Sequence, residues 1–97
     1  MSYKPGMTRF SVEISGEGVA SHRRGHGLTQ AQLAVLVGVT RQTIAEIEGG
    51  NYNPSTALAL RLAMLLDTRV EDLFRLPGAD VEALLAKRNG GKGDANS

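Results

Sequence analysis

The residues best suited to chemistry lie in the segment TRQTIAEIE at positions 40–48. At helical spacing, Ile44 and Ile47 point to one side of this segment. The opposite face then carries four side chains suited to contact with a nucleic acid: Arg41, Gln42, Ala45 and Glu46. Arginine hydrogen-bonds guanine O6 and N7, glutamine pairs with adenine N6 and N7, and alanine contacts a thymine methyl group. This combination fits the reading of base edges, although an ordinary solvated helix face would carry the same residue types.

Glu46 leaves two roles open within this set. A glutamate can accept a hydrogen bond from the amino group of cytosine. Its charge can instead repel DNA phosphates and so narrow the range of tolerated sites. The sequence does not choose between these two roles.

Two short helices separated by one sharp turn are predicted for residues 29–54. Thr29 and Gln32 have the spacing of a capping box, which begins a helix. Gly38 ends this helix, because glycine accepts a left-handed backbone without a Cβ penalty. Thr40 is a second N-cap and begins the next helix. Together these signals predict a helix-turn-helix, although periodicity alone would also fit a structural pair of antiparallel helices.

The second helix, residues 40–49, is short enough to enter the DNA major groove with its N-terminal residues leading. The run GLTQAQLAVLVGVTRQTIAEIEGGNYNPS resembles the Cro/C1 (Xre-type) helix-turn-helix transcriptional repressors, in particular their short bacterial members, and the similarity spans residues 19–74. This resemblance implies an all-α, five-helix, lambda-repressor-like domain. It also implies binding of double-stranded DNA, usually by a homodimer on a two-fold operator.

The resemblance further implies roles for individual residues. In the family, base contacts fall at the positions that match Arg41, Gln42 and Glu46. Arg23 and Glu48 match two positions that form an ion pair between the first helix and the recognition helix. Because a buried ion pair is weak support for stability, we expect this one to fix how the recognition helix is presented. The alternative is that Arg23 and Glu48 are two unrelated surface charges.

Other polar residues around the motif are expected to lie beside DNA phosphates. Gln30 begins the first motif helix, where backbone N–H groups and the helix dipole favour an anion. Further phosphate neighbours are expected at Thr40, Thr43, Asn51, Tyr52 and Asn53. Such contacts set the register and carry no sequence information. The family often has Asn at the position of Gly49 and Lys at that of Asn51, so we expect weaker affinity here.

Residues 1–15 form an N-terminal extension that lies outside the resemblance. Three of its apolar side chains alternate with polar ones, at the period of a strand: Phe10, Val12 and Ile14. Val35 and Leu36 are apolar residues on the outer side of the first motif helix, where relatives carry charges. We expect the extension to cover them and to pair with the same segment of a second chain. The alternative is an arm that becomes ordered only on DNA or on a partner protein.

The helix-turn-helix domain is predicted to span residues 16–76, and further structure follows it. A sixth, C-terminal helix is expected at residues 77–89, with Asp80 as its N-cap and Asn89-Gly90-Gly91 as its end. Residues 90–97 are rich in glycine and polar residues, which predicts a disordered tail.

Composition excludes several classes of protein. The chain has 97 residues, of which 11 are basic and 10 acidic, so charge alone does not indicate a nucleic-acid binder. It has no cysteine, which excludes disulfides, thiol catalysis and cysteine-ligated metals. No apolar run approaches the ~18 residues that a membrane span needs, and the first ten residues lack the apolar region of a signal peptide. We therefore expect a soluble cytoplasmic protein that does not contact membranes.

Metal binding and catalysis find little support. His22 and His26 have the spacing of two metal ligands on a helix, but Gly25 weakens that helix and no third ligand stands out. We expect no metal and no cofactor. Without a nucleophile–base pair or a phosphate-binding glycine loop, an enzyme is not expected either. The remaining alternative is an antitoxin-type or adaptor module of the same fold, whose main partner is a small toxin-like protein, and the extra strand and sixth helix favour it somewhat.

Overall fold

The computed structural model describes residues 13–95, including the side chains of residues 13–90. This part of the chain consists of six α-helices and contains no β-strand. The helices are α1 (Glu17–Gly25), α2 (Gln30–Val37), α3 (Arg41–Glu48), α4 (Thr56–Leu65), α5 (Val70–Leu73) and α6 (Gly78–Ala95). The predicted all-α fold, five helices followed by a sixth, is confirmed. None of these six helices is long and apolar enough to cross a membrane.

The two motif helices, α2 and α3, begin and turn as the local sequence predicts. The Thr29 hydroxyl accepts a hydrogen bond from the Gln32 amide at 3.0 Å, and the Gln32 side chain accepts one from the Thr29 amide at 2.8 Å. Gly38 ends α2 in the left-handed conformation, with φ at 81°. The Thr40 hydroxyl then accepts from the Thr43 amide at 3.1 Å and caps α3. The turn between α2 and α3 is therefore fixed by local hydrogen bonds.

One apolar core joins the first five helices. Each of them contributes at least one side chain that is almost fully buried, and this set comprises Val19, Leu33, Ile44, Ile47, Leu62 and Leu73. Burying one such side chain contributes roughly 1.5–3 kcal/mol. Because the inward side of α3 is held in this core, its polar side must face solvent.

The start of α1 packs closely on its neighbours. A Cβ atom at Gly16 would collide with the carbonyl oxygen of Ile47, at the end of α3. A Cβ atom at Gly18 would collide with the carbonyl oxygen of Asp72, in α5. Any larger residue at these two positions would push α1 away from both helices. The chain before α1 therefore crosses directly over the C-terminal end of α3.

The C-terminal helix differs from its prediction. It was expected to end at Asn89-Gly90-Gly91, but α6 continues to Ala95 and includes part of the predicted disordered tail. Glycine inside a helix costs only about 1 kcal/mol relative to alanine, and Gly90 keeps the helical conformation. The helix also begins at Gly78, so Asp80 lies in its first turn instead of at its N-cap.

The expected position of the N-terminal extension is wrong for the part that the structure describes. Phe10 and Val12 lie outside the described residues. Ile14 is partly buried against the core, and Ser15 forms an isolated antiparallel bridge with Arg75 through N–H···O distances of 2.9 and 3.0 Å. The sequence could not predict this bridge, because its two residues are 60 positions apart.

The apolar pair on α2 accordingly stays uncovered within residues 13–90. Val35 is 79% exposed and Leu36 is 56% exposed. They line a shallow apolar groove together with Leu28, Ala31 and Gln32. Ile14 instead packs on the core near Phe74, next to the loop that follows α3.

Candidate nucleic-acid interface

The outward face of α3 presents the four predicted base-reading residues. Ile44 and Ile47 are 0% and 1% exposed, so they fix which side of the helix meets solvent. Arg41 and Gln42 are exposed in the first turn, and Ala45 and Glu46 are partly exposed one turn later. The four side chains thus share one surface, with the N-terminal pair at its most accessible end. This is the geometry that a helix needs to enter a groove with its N-terminus leading.

Two of these residues contact each other. The Gln42 amide nitrogen donates a hydrogen bond to the Glu46 carboxylate at 3.2 Å, across one turn of α3. Residues four apart on a helix are neighbours on its surface, so this contact follows from their spacing. From the sequence, Gln42 and Glu46 were expected to make separate contacts, and their interaction was not predicted.

Arg23 and Glu48 join α1 to the end of α3. The guanidinium group of Arg23 donates to both carboxylate oxygens of Glu48, at 2.7 and 3.1 Å, and to the Leu28 carbonyl oxygen at 2.8 Å. The two charged side chains are only 10% and 8% exposed. The structure therefore places the two residues that the family resemblance paired in direct, bidentate contact.

The surroundings of this ion pair shift both pKa values. Hydrogen bonding to Glu48 raises the pKa of Arg23 above its ordinary value. Burial acts to raise the pKa of Glu48, but hydrogen bonds from Arg23 and Gln30, together with the charge of Arg23, outweigh burial and lower it. Both groups are therefore held in their charged forms.

Gln30 lies at the N-terminus of α2, as predicted, but its side chain has a partner that the sequence did not predict. The Gln30 amide donates a hydrogen bond to Glu48 at 3.0 Å. Glu48 thus connects α1, the start of α2 and the end of α3. Gln30 and Glu48 are 18 residues apart, so no helical or strand period could have indicated the contact.

The remaining predicted phosphate neighbours lie at the two ends of α3. Thr40 and Thr43 are at its N-terminal end, where their hydroxyl groups are 3.0 Å apart. Asn51, Tyr52 and Asn53 form an exposed loop directly after its C-terminal end. Both ends of the outward face of α3 therefore carry polar side chains suited to hydrogen bonds with phosphate oxygens.

His22, in α1, and His26, at its C-cap, each lie within hydrogen-bonding distance of a backbone carbonyl oxygen. The Nδ1 atom of His22 lies 2.9 Å from the Gly18 carbonyl oxygen. The Nε2 atom of His26 lies 2.8 Å from the Leu66 carbonyl oxygen, at the end of α4. Within the described residues, no group of three His, Cys, Asp or Glu side chains could hold a metal ion.

A family model described as helix-turn-helix matches residues 19–73, which is more than half of the chain. The chain therefore belongs to the Cro/C1-type helix-turn-helix family of DNA-binding transcriptional regulators. This family is a class of DNA-binding regulators and not a class of enzymes.

Individual relatives and solved structures agree with this membership. The chain is 51% identical over 59 residues to an uncharacterized HTH-type transcriptional regulator of Methanothermobacter thermautotrophicus, covering 60% of this chain and 86% of the relative. It is 46% identical over 56 residues to one of Archaeoglobus fulgidus, covering 58% and 80%. Among solved structures it is similar to the restriction-modification controller protein C.AhdI from Aeromonas hydrophila, with 34% identity, a TM-score of 0.56, and coverage of 60% and 88%. None of these similarities favours the toxin-binding alternative.

Proposed function

We propose that this protein is a transcriptional repressor that binds double-stranded DNA sequence-specifically with α3 in the major groove. The observation that carries the proposal is the polar face of α3, which is held outward by the burial of Ile44 and Ile47. Arg41 and Gln42 stand at the N-terminal end of this face, which leads into the groove in helix-turn-helix proteins.

The proposed base readers have distinct roles. Arg41 pairs with O6 and N7 of a guanine, and Gln42 pairs with N6 and N7 of an adenine. Each bidentate contact contributes roughly 1–3 kcal/mol of discrimination against the wrong base. Ala45, one turn further along α3, contacts a thymine methyl group. Glu46 shares this face, next to Ala45.

Phosphate contacts are proposed on both sides of this face. Thr40 and Thr43 contact phosphates of one DNA strand at the start of α3. The loop of residues 51–53 contacts the phosphates beyond the C-terminal end of this helix. At the start of α2, the backbone N–H groups near Gln30 are the proposed donors. The Gln30 side chain keeps its hydrogen bond to Glu48, so it orients α3 and does not itself need to bind phosphate.

We also propose that the working unit is a homodimer on a two-fold operator. Two-fold symmetry places the two copies of α3 about 34 Å apart, one turn of DNA, so that both enter the same side of the duplex. We propose that the protein is located in the cytoplasm. The related regulators are proteins of prokaryotes, whose DNA lies in the cytoplasm.

The test is selection of bound DNA from a random duplex pool, together with the mass of the protein and of its complex in solution. We expect two half-sites related by two-fold symmetry, with centres about 10 base pairs apart, and two protein chains per site. A folded protein that enriches no sequence would contradict the proposed function. Enrichment of a single half-site by one chain would support DNA reading and contradict only the dimer.

A further inference from the structure

The hydrogen bond between Gln42 and Glu46 changes what both side chains can offer a base. Gln42 is exposed and Glu46 is partly exposed on the outward face of α3, and they are joined at 3.2 Å. Arg23 and Arg69 form ion pairs with other carboxylates, those of Glu48 and Asp72. Glu46 thus presents its carboxylate on the outward face of α3, with Gln42 as its neighbour.

The contact fixes the orientation of the Gln42 amide. One N–H of the amide donates to Glu46, which restrains rotation of the planar amide group at the end of the Gln42 side chain. The second N–H and the carbonyl oxygen remain available, which are the two groups that pair with N7 and N6 of adenine. Glu46 thus orients Gln42 for an adenine without occupying the groups that read it.

The contact also leaves acceptor positions on Glu46. An ionised carboxylate has two oxygens with about four acceptor positions and no donor, and Gln42 occupies one of them. In the major groove, the edge of cytosine presents only a donor, its N4 amino group, whereas guanine and thymine present acceptors. Adenine presents its N6 donor next to the N7 acceptor, and the N7 lone pair repels a carboxylate oxygen. Cytosine is therefore the base that best fits Glu46.

We propose that Gln42 and Glu46 act as one reading unit, in which Glu46 is the specificity-determining residue for a cytosine in each half-site. This proposal rests on the proposed DNA-binding function. It adds to that function the bases that two residues on the outward face of α3 prefer. It resolves the two roles that the sequence left open for Glu46 in favour of hydrogen bonding. Gln42 reads an adenine at a neighbouring position and depends on Glu46 for its orientation.

The test is selection from a random duplex pool by the wild-type protein, Glu46→Gln and Gln42→Ala, followed by affinity measurements on the single-base variants. Glutamine has the length of glutamate but donates as well as accepts, so it tolerates a guanine or adenine where glutamate does not. We expect Glu46→Gln to lose a cytosine preference of roughly 5- to 150-fold at one position per half-site. We expect Gln42→Ala to lose the adenine preference at its own position and, because the shared hydrogen bond restrains both side chains, to weaken the cytosine preference as well.

Glu82→Gln is the matched control, because it removes the same charge from an exposed position on α6. Its base preferences should equal those of the wild-type protein. The inference is overturned if Glu46→Gln binds operator and random DNA more tightly by one common factor and keeps every base preference, because Glu46 then acts only by repulsion. It is also overturned if Gln42→Ala and Glu46→Gln change preferences at separate positions. A wild-type protein without any base preference would instead contradict the proposed function itself.

Discussion

The two sides of α3 differ sharply in their surroundings, although they belong to one helix of eight residues. On the inner side, Ile44 and Ile47 are buried in the core, and Glu48 accepts three hydrogen bonds from Arg23 and Gln30. On the outer side, three of the four side chains are polar, and all four are at least partly exposed: Arg41, Gln42, Ala45 and Glu46. The inner side therefore holds the helix in place, while the outer side is available to a partner.

This difference separates two kinds of substitution. A change on the inner side should lower the free energy of unfolding and disturb DNA binding only through the position of α3. A change on the outer side should alter DNA affinity and leave the free energy of unfolding nearly unchanged, because exposed substitutions usually change it by less than about 0.5 kcal/mol.

The largest expected effect on the inner side comes from breaking the buried ion pair. Arg23→Met or Glu48→Leu alone leaves one buried charge without its partner, which costs roughly 3–5 kcal/mol. The double variant removes both charges and should be more stable than either single variant in urea denaturation. Strictly additive losses would contradict this account. Arg69 and Asp72 provide the control, because their ion pair is exposed and its removal should change stability much less.

Shortening a core side chain of α3 should have the next largest effect. Ile47→Ala removes a side chain that is 1% exposed, and it should lower the free energy of unfolding by about 2–5 kcal/mol. Met64→Ala is the control, since Met64 on α4 is 83% exposed and its removal leaves no cavity. Similar stabilities for these two variants in urea denaturation would show that α3 is not anchored as described.

Removing the N-cap of α3 should have a smaller effect. Thr40→Ala deletes the acceptor for the Thr43 amide and should cost about 1 kcal/mol. Thr56→Ala makes the same chemical change in the first turn of α4, where Ser55 supplies the cap. Thermal unfolding should therefore show a lower midpoint for Thr40→Ala than for Thr56→Ala. Equal midpoints would mean that the Thr40 hydroxyl does not support α3.

The smallest effect is expected in the pH dependence of stability, which reports the ionisation of Glu48. The pKa of Glu48 in the folded protein lies below its ordinary value of 4.5. As pH falls below that value, the unfolded chain takes up a proton while folded Glu48 stays ionised, so the stabilisation is lost progressively. We expect the free energy of unfolding of Glu48→Gln to fall less with decreasing pH than that of the wild-type protein. Parallel pH profiles would contradict a role for the Glu48 charge.

The sequence predicted the parts of α3 and its turn that depend on near neighbours. The helix caps at Thr29 and Thr40 and the turn at Gly38 depend on residues at most a few positions away. The local sequence was therefore sufficient to predict them. The burial of Ile44 and Ile47 followed from helical spacing, and this burial decides which residues face outward.

The sequence could not predict contacts between distant parts of the chain. The hydrogen bond from Gln30 to Glu48 depends on how α2 meets α3, and the bridge from Ser15 to Arg75 depends on how the first residues cross the fold. The end of α6 was also missed, because Gly90 carries no local signal that distinguishes a helix end from a tolerated glycine.

The most direct test of the account compares Arg41→Ala with the wild-type protein on a selected operator and on random duplex DNA. Arg69→Ala removes the same charge from the exposed residue before α5 and serves as the control. We expect Arg41→Ala to lose roughly 1–3 kcal/mol of affinity for the operator, with relaxed preference at one base pair per half-site and an unchanged free energy of unfolding. Equal losses on operator and random DNA would show that Arg41 contacts only the DNA backbone. That result would contradict the claim that the outer side of α3 reads bases.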